Sequence, residues 1–419
     1  MAVNPFGMTG SANRRGFLAG SAGLVASAAS LSGGEPVAEQ AATAPADRPL
    51  SAADRPDGRF LTTAGFVQHH LKHLRPRLAF DPTFSVAEAE AWRNEVRGQL
   101  RRLLNFPDVP PQPEPRLVAQ EPRRGYTLQR WELYPEPYSV VPFLMLVPDD
   151  ATPQRPAPAV LCFPGSDHPK EATCGEPWNT AWQNKWGEHN FMARHVVRQG
   201  MIALAFDNPS TAELDDPRVK RWYRQSWELI WLNRSYTGLS VFQKHVALQW
   251  LKTRAHVDAA RIAVAGHSLG AEPALMLGVL DPDIKAVIWN NQASSWRQEL
   301  VAKNLYSFAP WHYIPDFINW FDYTDLMAAL APTPLMLSEG GRTEDHALIR
   351  RAYELSGAAR NLAIHFMPGY ADEKDRLLDK EPLPEGITEE QYARYANYGP
   401  EHYFKDEQAL PWLCEILRG

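Results

Sequence analysis

The sequence predicts an α/β protein, a mostly parallel sheet with helices on both faces, and three observations point there. From Pro158 onward six apolar runs, "PAVLCFPG", "MIALAFDN", "RIAVAGHS", "KAVIWNN", "PLMLSEG" and "NLAIHFMPG", alternate with helix-length stretches. Strands buried on both faces read as near-continuous apolar runs, and parallel strands need helical crossovers between them. Each run ends in small or polar residues, which is where open parallel sheets place their ligand sites. The run "RIAVAGHS" ends in Gly266-His267-Ser268-Leu269-Gly270, a G-x-S-x-G between a strand and the helical "AEPALML".

The elements follow in order. Residues 1–45 read as an address: Arg14 and Arg15 precede a mild apolar run from Gly16 to Leu31, with small-residue sites such as Ala26-Ser27-Ala28 behind it. This resembles a twin-arginine signal, which carries a folded protein to the periplasm or beyond. Residues 46–59, rich in Pro, Asp and Ala, read as a linker, and 60–115 as an N-terminal helical extension. Its clearest helix is "SVAEAEAWRNEVRGQLRRLL", where Ala89, Trp92, Val96, Leu100 and Leu103 recur at three- and four-residue steps. The proline-rich "FPDVPPQPEP" ends it, and "YTLQRWELY" and "VVPFLMLVP" alternate as antiparallel strands do. Residues 116–419 then form the main domain, interrupted by an insertion over 370–400. Within the insertion Thr388 and Gln391 have the spacing of a capping box at a helix start.

Composition narrows the function. A chain of 419 residues, 44% hydrophobic and 22% charged, can bury a large core. The net charge of −6 is spread along the chain without a basic block, so nucleic acid is excluded as a partner. Beyond the leader no apolar run approaches the roughly 20 residues of a membrane span. Three cysteines rule out a disulfide framework, though Cys162 and Cys174 are left open as a pair. Neither H-E-x-x-H nor paired C-x-x-C occurs, which predicts no metal and no cofactor. Nothing in the sequence fixes the oligomeric state.

The chemistry centres on Ser268. A serine on a sharp strand-to-helix turn projects outward, and flanking glycines let the neighbouring backbone approach. The helix N-terminus lends positive potential to an oxyanion, and the Leu269 N–H is the natural first donor.

With these residues the chain resembles the α/β-hydrolase superfamily, in its bacterial branch similar to acetyl xylan esterases and dienelactone-hydrolase-like esterases. The likeness runs from about Trp92 to Leu417 and includes "HVDAARIAVAGHSLG", "FDYTDLMAALAPTPLML" and "ALPWL". It implies an α/β-hydrolase fold and a serine hydrolase of carboxylic esters acting through an acyl-enzyme on Ser268, with acetyl or aryl esters of carbohydrates as substrates. The family's second oxyanion donor follows an early strand as H-G-x; Pro164-Gly165-Ser166 stands there, so the donor implied is the Ser166 N–H. The acid should follow "PLMLSEG". The loop "EGGRTEDHA" offers Glu339, Glu344 and Asp345; the family spacing favours Asp345, with Glu344 as alternative.

The histidine should follow "NLAIHFMPG", but "YADEKDR" stands there, and His365 inside the strand reads as a packing residue. The family segment H-x-F-x-x-E-x-A-F-P-W-L is matched by His402, Phe404, Glu407, Ala409, Pro411, Trp412 and Leu413. The histidine is therefore expected at His402, displaced by the lid-like insertion. Trp227, Trp231, Tyr236 and Trp311 fall where the family builds walls over its site, and are expected to bind substrate. Family glucuronoyl esterases carry Arg after the serine, and Leu269 speaks against that assignment. The competing readings are a non-catalytic binding protein of the same fold, which Ser268 and His402 together disfavour, and a serine peptidase, disfavoured because no β-propeller precedes the sheet.

Overall fold

A computed structural model describes residues 48–166, 168–178, 186–219, 225–305 and 309–418. The leader, with Arg14 and Arg15, lies outside them. Residues 49–419 form one compact unit. Among the described residues no helix is long and apolar enough to cross a membrane.

The unit opens with α1 (Thr63–His73) and α2 (Val86–Leu104). Ser85 caps α2 through its hydroxyl on the Glu88 N–H while the Glu88 carboxylate takes the Ser85 N–H, satisfying two otherwise orphaned donors. The expected stripe faces inward at Ala89, Trp92, Val96 and Leu100, but Leu104 rather than Leu103 completes the buried set. Trp92, Val96, Leu100 and Leu104 join the main core, so the helical extension is part of the fold rather than an appendage.

Nine strands form one sheet in the order β1-β2-β3-β5-β4-β6-β7-β8-β9. β1 (Arg116–Arg123), β2 (Tyr126–Leu133) and β3 (Val141–Pro148) are antiparallel neighbours. β3 meets β5 (Ile202–Phe206) antiparallel, and from there the sheet is parallel through β4 (Ala157–Phe163), β6 (Val257–His267), β7 (Ala286–Asn290), β8 (Leu335–Leu337) and β9 (Leu362–Ile364). All six apolar runs are strands. β1 had no signal in the sequence because six of its eight residues face solvent on the sheet edge.

Between and after the strands lie α3 (Lys170–Thr173), α4 (Met192–Arg198), α5 (Gln225–Trp231), α6 (Tyr236–Leu251), α7 (Ala271–Leu280), α8 (Trp296–Ala302), α9 (Tyr323–Ala329), α10 (Thr343–Leu355), α11 (Glu389–Tyr395) and α12 (Asp406–Arg418). Side chains alternate across the sheet with period two. Leu161, Phe163 and Val264 pack with α2, α6, α7 and α9, whereas Val160, Cys162 and Ala265 pack with Met192, Val196, Phe404, Leu413 and Leu417. Cys162 and Cys174 are both buried in the second core as free thiols, so they form no pair.

Residues 370–400 dock across Ser51, α1 and α8. Thr388 and Gln391 make the expected capping box on α11. Tyr392 and Ala396 bury against Ala302, and the Ile387 N–H donates to the Ala302 carbonyl at 3.1 Å. Glu385 accepts from Ser51 Oγ at 2.7 Å, Lys72 Nζ at 2.6 Å and Gln68 Nε2 at 3.1 Å.

Candidate active site

β6 delivers Ser268 onto a three-residue 3₁₀ turn, Ser268–Gly270, before α7, with the serine at φ +52°. A non-glycine residue in the left-handed region is strained, and such strain concentrates at functional sites. The flanking glycines are dictated by close approach: a Cβ on Gly266 would meet the Gly270 carbonyl oxygen at 2.1 Å, and one on Gly270 the Phe163 oxygen at 2.1 Å. The loop after β4 closes on the same turn. A Cβ on Gly165 would lie 3.3 Å from Ser268 Cβ, and Asn208 Nδ2 pins this loop by donating to the carbonyls of Pro164 at 3.0 Å and Gly165 at 3.2 Å. Ser166, Ser268 and Leu269 line one cavity of about 200 Å³, with Asn291, Gln292, Glu299, Glu389 and Tyr398 among its walls.

His402 arrives at the same corner after the insertion, its ring 4.6 Å from that of His267, the residue before the serine. Its Nδ1 lies 2.7 Å from Glu339 Oε2. A carboxylate only accepts, so Nδ1 carries the hydrogen and Nε2 is the basic nitrogen of the neutral ring. Glu339 is fully buried two residues beyond β8 and also accepts from Lys405 Nζ at 2.9 Å and Asn290 Nδ2 at 3.1 Å. Burial alone would raise its pKa, but the charges and hydrogen bonds of His402 and Lys405 outweigh burial and hold it below the ordinary glutamate value.

Asn290, at the end of β7, organises this cluster. Its Oδ1 accepts from the Lys405 N–H at 2.9 Å and Ser338 Oγ at 2.8 Å, which fixes the amide so that Nδ2 faces Glu339 and, at 2.9 Å, His267 Nδ1. His267 therefore accepts at Nδ1. Burial, reinforced by the charges of His402, His168 and Lys405, pushes its pKa far below the ordinary value and keeps it neutral. His168 is driven down to about 4 by burial and then by His402.

The acid expected from the family spacing is corrected. Asp345 sits in the first turn of α10, buried, and accepts the Ser295 N–H at 3.1 Å; Glu344 points outward to Arg342 at 2.9 Å. Gly340 and Gly341, at φ +75° and +141°, turn the chain away immediately after Glu339. Only the residue before that turn stays beside His402. The signal was present in "SEGG": a carboxylate at the strand end followed by two glycines marks the last residue still in the plane of the sheet.

The aromatic expectations divide. Trp311 lines the cavity with Ser268. Trp227 and Trp231 stand on α5 at 50% and 90% exposure and are not among the residues lining that cavity. Tyr236 is buried at the start of α6 and spends its hydroxyl on the Pro209 carbonyl at 2.6 Å, a structural role. Two residues not singled out from the sequence do contribute. His312 lines the cavity, held by Glu272 Oε1 at 2.5 Å from Nδ1, and Lys405 supplies the buried positive charge beside Glu339.

Ligand-capable atoms of His267, Glu339 and His402 lie within 4.8 Å of one another, as do those of His189, Asp406 and Glu407. In the first group His267 Nδ1 is occupied by Asn290, both Glu339 oxygens are hydrogen-bonded, and the Lys405 ammonium lies 2.9 Å from Glu339. That arrangement suits proton handling rather than cation binding.

The fold matches solved structures. A candidate acetyl xylan esterase from Bacteroides fragilis is 35% identical, with a TM-score of 0.82 over 88% of this chain and 97% of that one. A glucuronoyl esterase from Solibacter usitatus shares the fold at 16% identity and a TM-score of 0.51, over 77% of this chain and 98% of its own. A methylesterase does so at 16% identity and 0.51, over 84% and 78%. No curated protein matches the sequence. The Abhydrolase family model matches residues 43–415, nearly the whole chain, and the chain belongs to the Abhydrolase family.

Proposed function

We propose that the protein is a serine esterase that cleaves short-chain carboxylic esters of carbohydrates or similar polar alcohols. The observation that carries this reading is the pairing of half-buried His402 with buried Glu339 at 2.7 Å, its ring 4.6 Å from that of His267, the residue before a strained serine at φ +52°. Ser268 Oγ attacks the ester carbonyl while His402 Nε2 takes its proton. The oxyanion forms against the backbone N–H groups of Leu269 and Ser166. Glu339 holds the ring in the Nδ1–H tautomer and stabilises the imidazolium, with Lys405 and Asn290 keeping it ionised. His402 returns the proton to the departing alcohol, and water attacks the acyl-serine by the same route.

The polar walls at Asn291, Gln292, Glu299 and Glu389 suit a hydroxylated alcohol. The likeness to a candidate acetyl xylan esterase supports an acetylated sugar as the substrate type. Arg14 and Arg15 support export by the twin-arginine route to the periplasm or the medium.

The test is hydrolysis of a chromogenic acetyl ester by wild type, Ser268→Ala and His402→Ala, together with labelling by a fluorophosphonate. The expected result is turnover in wild type, loss by several orders of magnitude in both variants, and label on Ser268. Full turnover in Ser268→Ala, or an unlabelled Ser268 in active protein, would overturn the serine mechanism, and no turnover in wild type would favour a binding protein of the same fold.

A further inference from the structure

A second cavity, about 390 Å³, lies against the first and shares Trp296 and His312 with it as lining residues. Its other walls are apolar: Leu71 from α1, Leu300 from α8, Leu305 just beyond it, and Ile314, Phe317 and Ile318 from the following segment. The polar groups of Tyr323, Asp316 and Asn319 at its margin are committed elsewhere. Tyr323 donates its hydroxyl to Glu272 at 2.7 Å, and Asp316 accepts from Trp320 Nε1 at 2.7 Å and Asn319 Nδ2 at 2.8 Å. The shared wall is braced. Trp296 stacks on Tyr323 at 4.0 Å and meets His312 edge-on at 5.0 Å, while Glu272 holds His312 from behind.

The two cavities differ in chemistry. The one at Ser268 carries Glu299, Glu389, Asn291 and Gln292, and at about 200 Å³ it has room for little more than the reacting ester. The second offers no comparable polar lining, yet it is more than twice the roughly 150 Å³ in which an apolar cavity binds benzene. We propose that this chamber is an apolar subsite of the catalytic cavity, taking an aryl group or an alkyl chain of roughly six to eight carbons from the ester. Trp296 and His312 are the wall over which that arm passes. The proposal rests on the esterase reading and names a substrate class within it: mixed esters with one polar and one apolar end.

The test uses two matched series on the full chain. One lengthens the acyl group from acetyl to octanoyl on a common alcohol; the other lengthens the alcohol of an acetyl ester from ethyl to hexyl and 2-phenylethyl. The series whose arm enters the chamber should gain about fourfold in kcat/KM per buried methylene, mainly through KM. Leu300→Trp fills the chamber and should lower the long-to-short ratio at least about tenfold. Leu71→Trp, on the half-buried face of α1, repeats the test should the first variant fold poorly, and thermal midpoints identify a misfolded protein. Flat wild-type series, or an unchanged ratio in a filled variant with a wild-type midpoint, would overturn the subsite while leaving the acetyl esterase standing. Loss of all ester turnover in wild type, with Ser268 unlabelled, would remove the esterase reading and the subsite together.

Discussion

At the residue scale, Glu339 and Asp345 show how six positions separate a carboxylate beside a histidine from one held mostly protonated at neutral pH. Glu339 is buried yet held below its ordinary pKa by His402 and Lys405; Asp345 is buried, accepts a neutral hydrogen bond from the Ser295 N–H in this pocket, and is pushed up to about 8 by that burial. Glu339→Gln should therefore lower kcat for an acetyl ester by about 10³- to 10⁴-fold, because an amide neither fixes the tautomer nor stabilises the imidazolium. Asp345→Asn should leave kcat unchanged and alter stability. The native state holds a proton that the unfolded chain releases near pH 4, so stability contributed at Asp345 is highest below the unfolded pKa, falls as pH rises, and levels off above about 8. Thermal midpoints of Asp345→Asn should match wild type near pH 4 and exceed it at pH 8; parallel curves would count against a buried neutral carboxyl. The sequence pointed to Ser268, His402 and the loop after β8, but spacing favoured Asp345, whereas the structure sets Glu339 of that loop beside His402. Which member of such a loop faces the histidine depends on where the backbone turns, and Gly340 and Gly341 decide that.

At the scale of elements, the insertion is a structural strap that also supplies Glu389 and Tyr398 to the cavity at Ser268. Glu385 ties it to Ser51, Gln68 and Lys72, and Tyr392 fastens α11 through Gln292 Nε2 at 3.2 Å and Ser294 Oγ at 3.1 Å. Ser51, within the expected linker, thus belongs to the packed body. Glu385→Ala removes the shared acceptor and leaves Gln68 and Lys72 without it. It should cost about 1–3 kcal/mol in urea unfolding and open 370–400 to limited proteolysis. Wild-type resistance to cleavage would show that the apolar contacts of Tyr392 and Ala396 suffice. The capping box at Thr388 and the helical periodicity of α2 were legible because both are local patterns. The contacts of Glu385 and the edge strand β1 were not: the first joins residues more than 300 apart in sequence, and the second has almost no buried face.

At the scale of the whole molecule, the parallel sheet was legible because its strands are apolar on both faces, and the two cores on either side of β4 and β6 account for that composition. The same burial bears on export. Cys162 and Cys174 lie in one core as free thiols, and burial pushes both well above the ordinary thiol pKa, leaving them protonated and unreactive. A chain that folds before crossing the membrane, as the twin-arginine reading requires, seals these thiols before they meet an oxidising compartment. A chain threaded unfolded would expose them there. The expected outcome is that mature protein recovered from the periplasm or medium labels with a thiol reagent at the half-buried Cys414 under native conditions, and at all three cysteines after denaturation without reductant. Arg14→Lys with Arg15→Lys should hold the precursor in the cytoplasm, unprocessed, with the turnover of the purified enzyme unchanged. A Cys162–Cys174 disulfide in the exported protein would mean that folding followed translocation, and the twin-arginine proposal would fall with it.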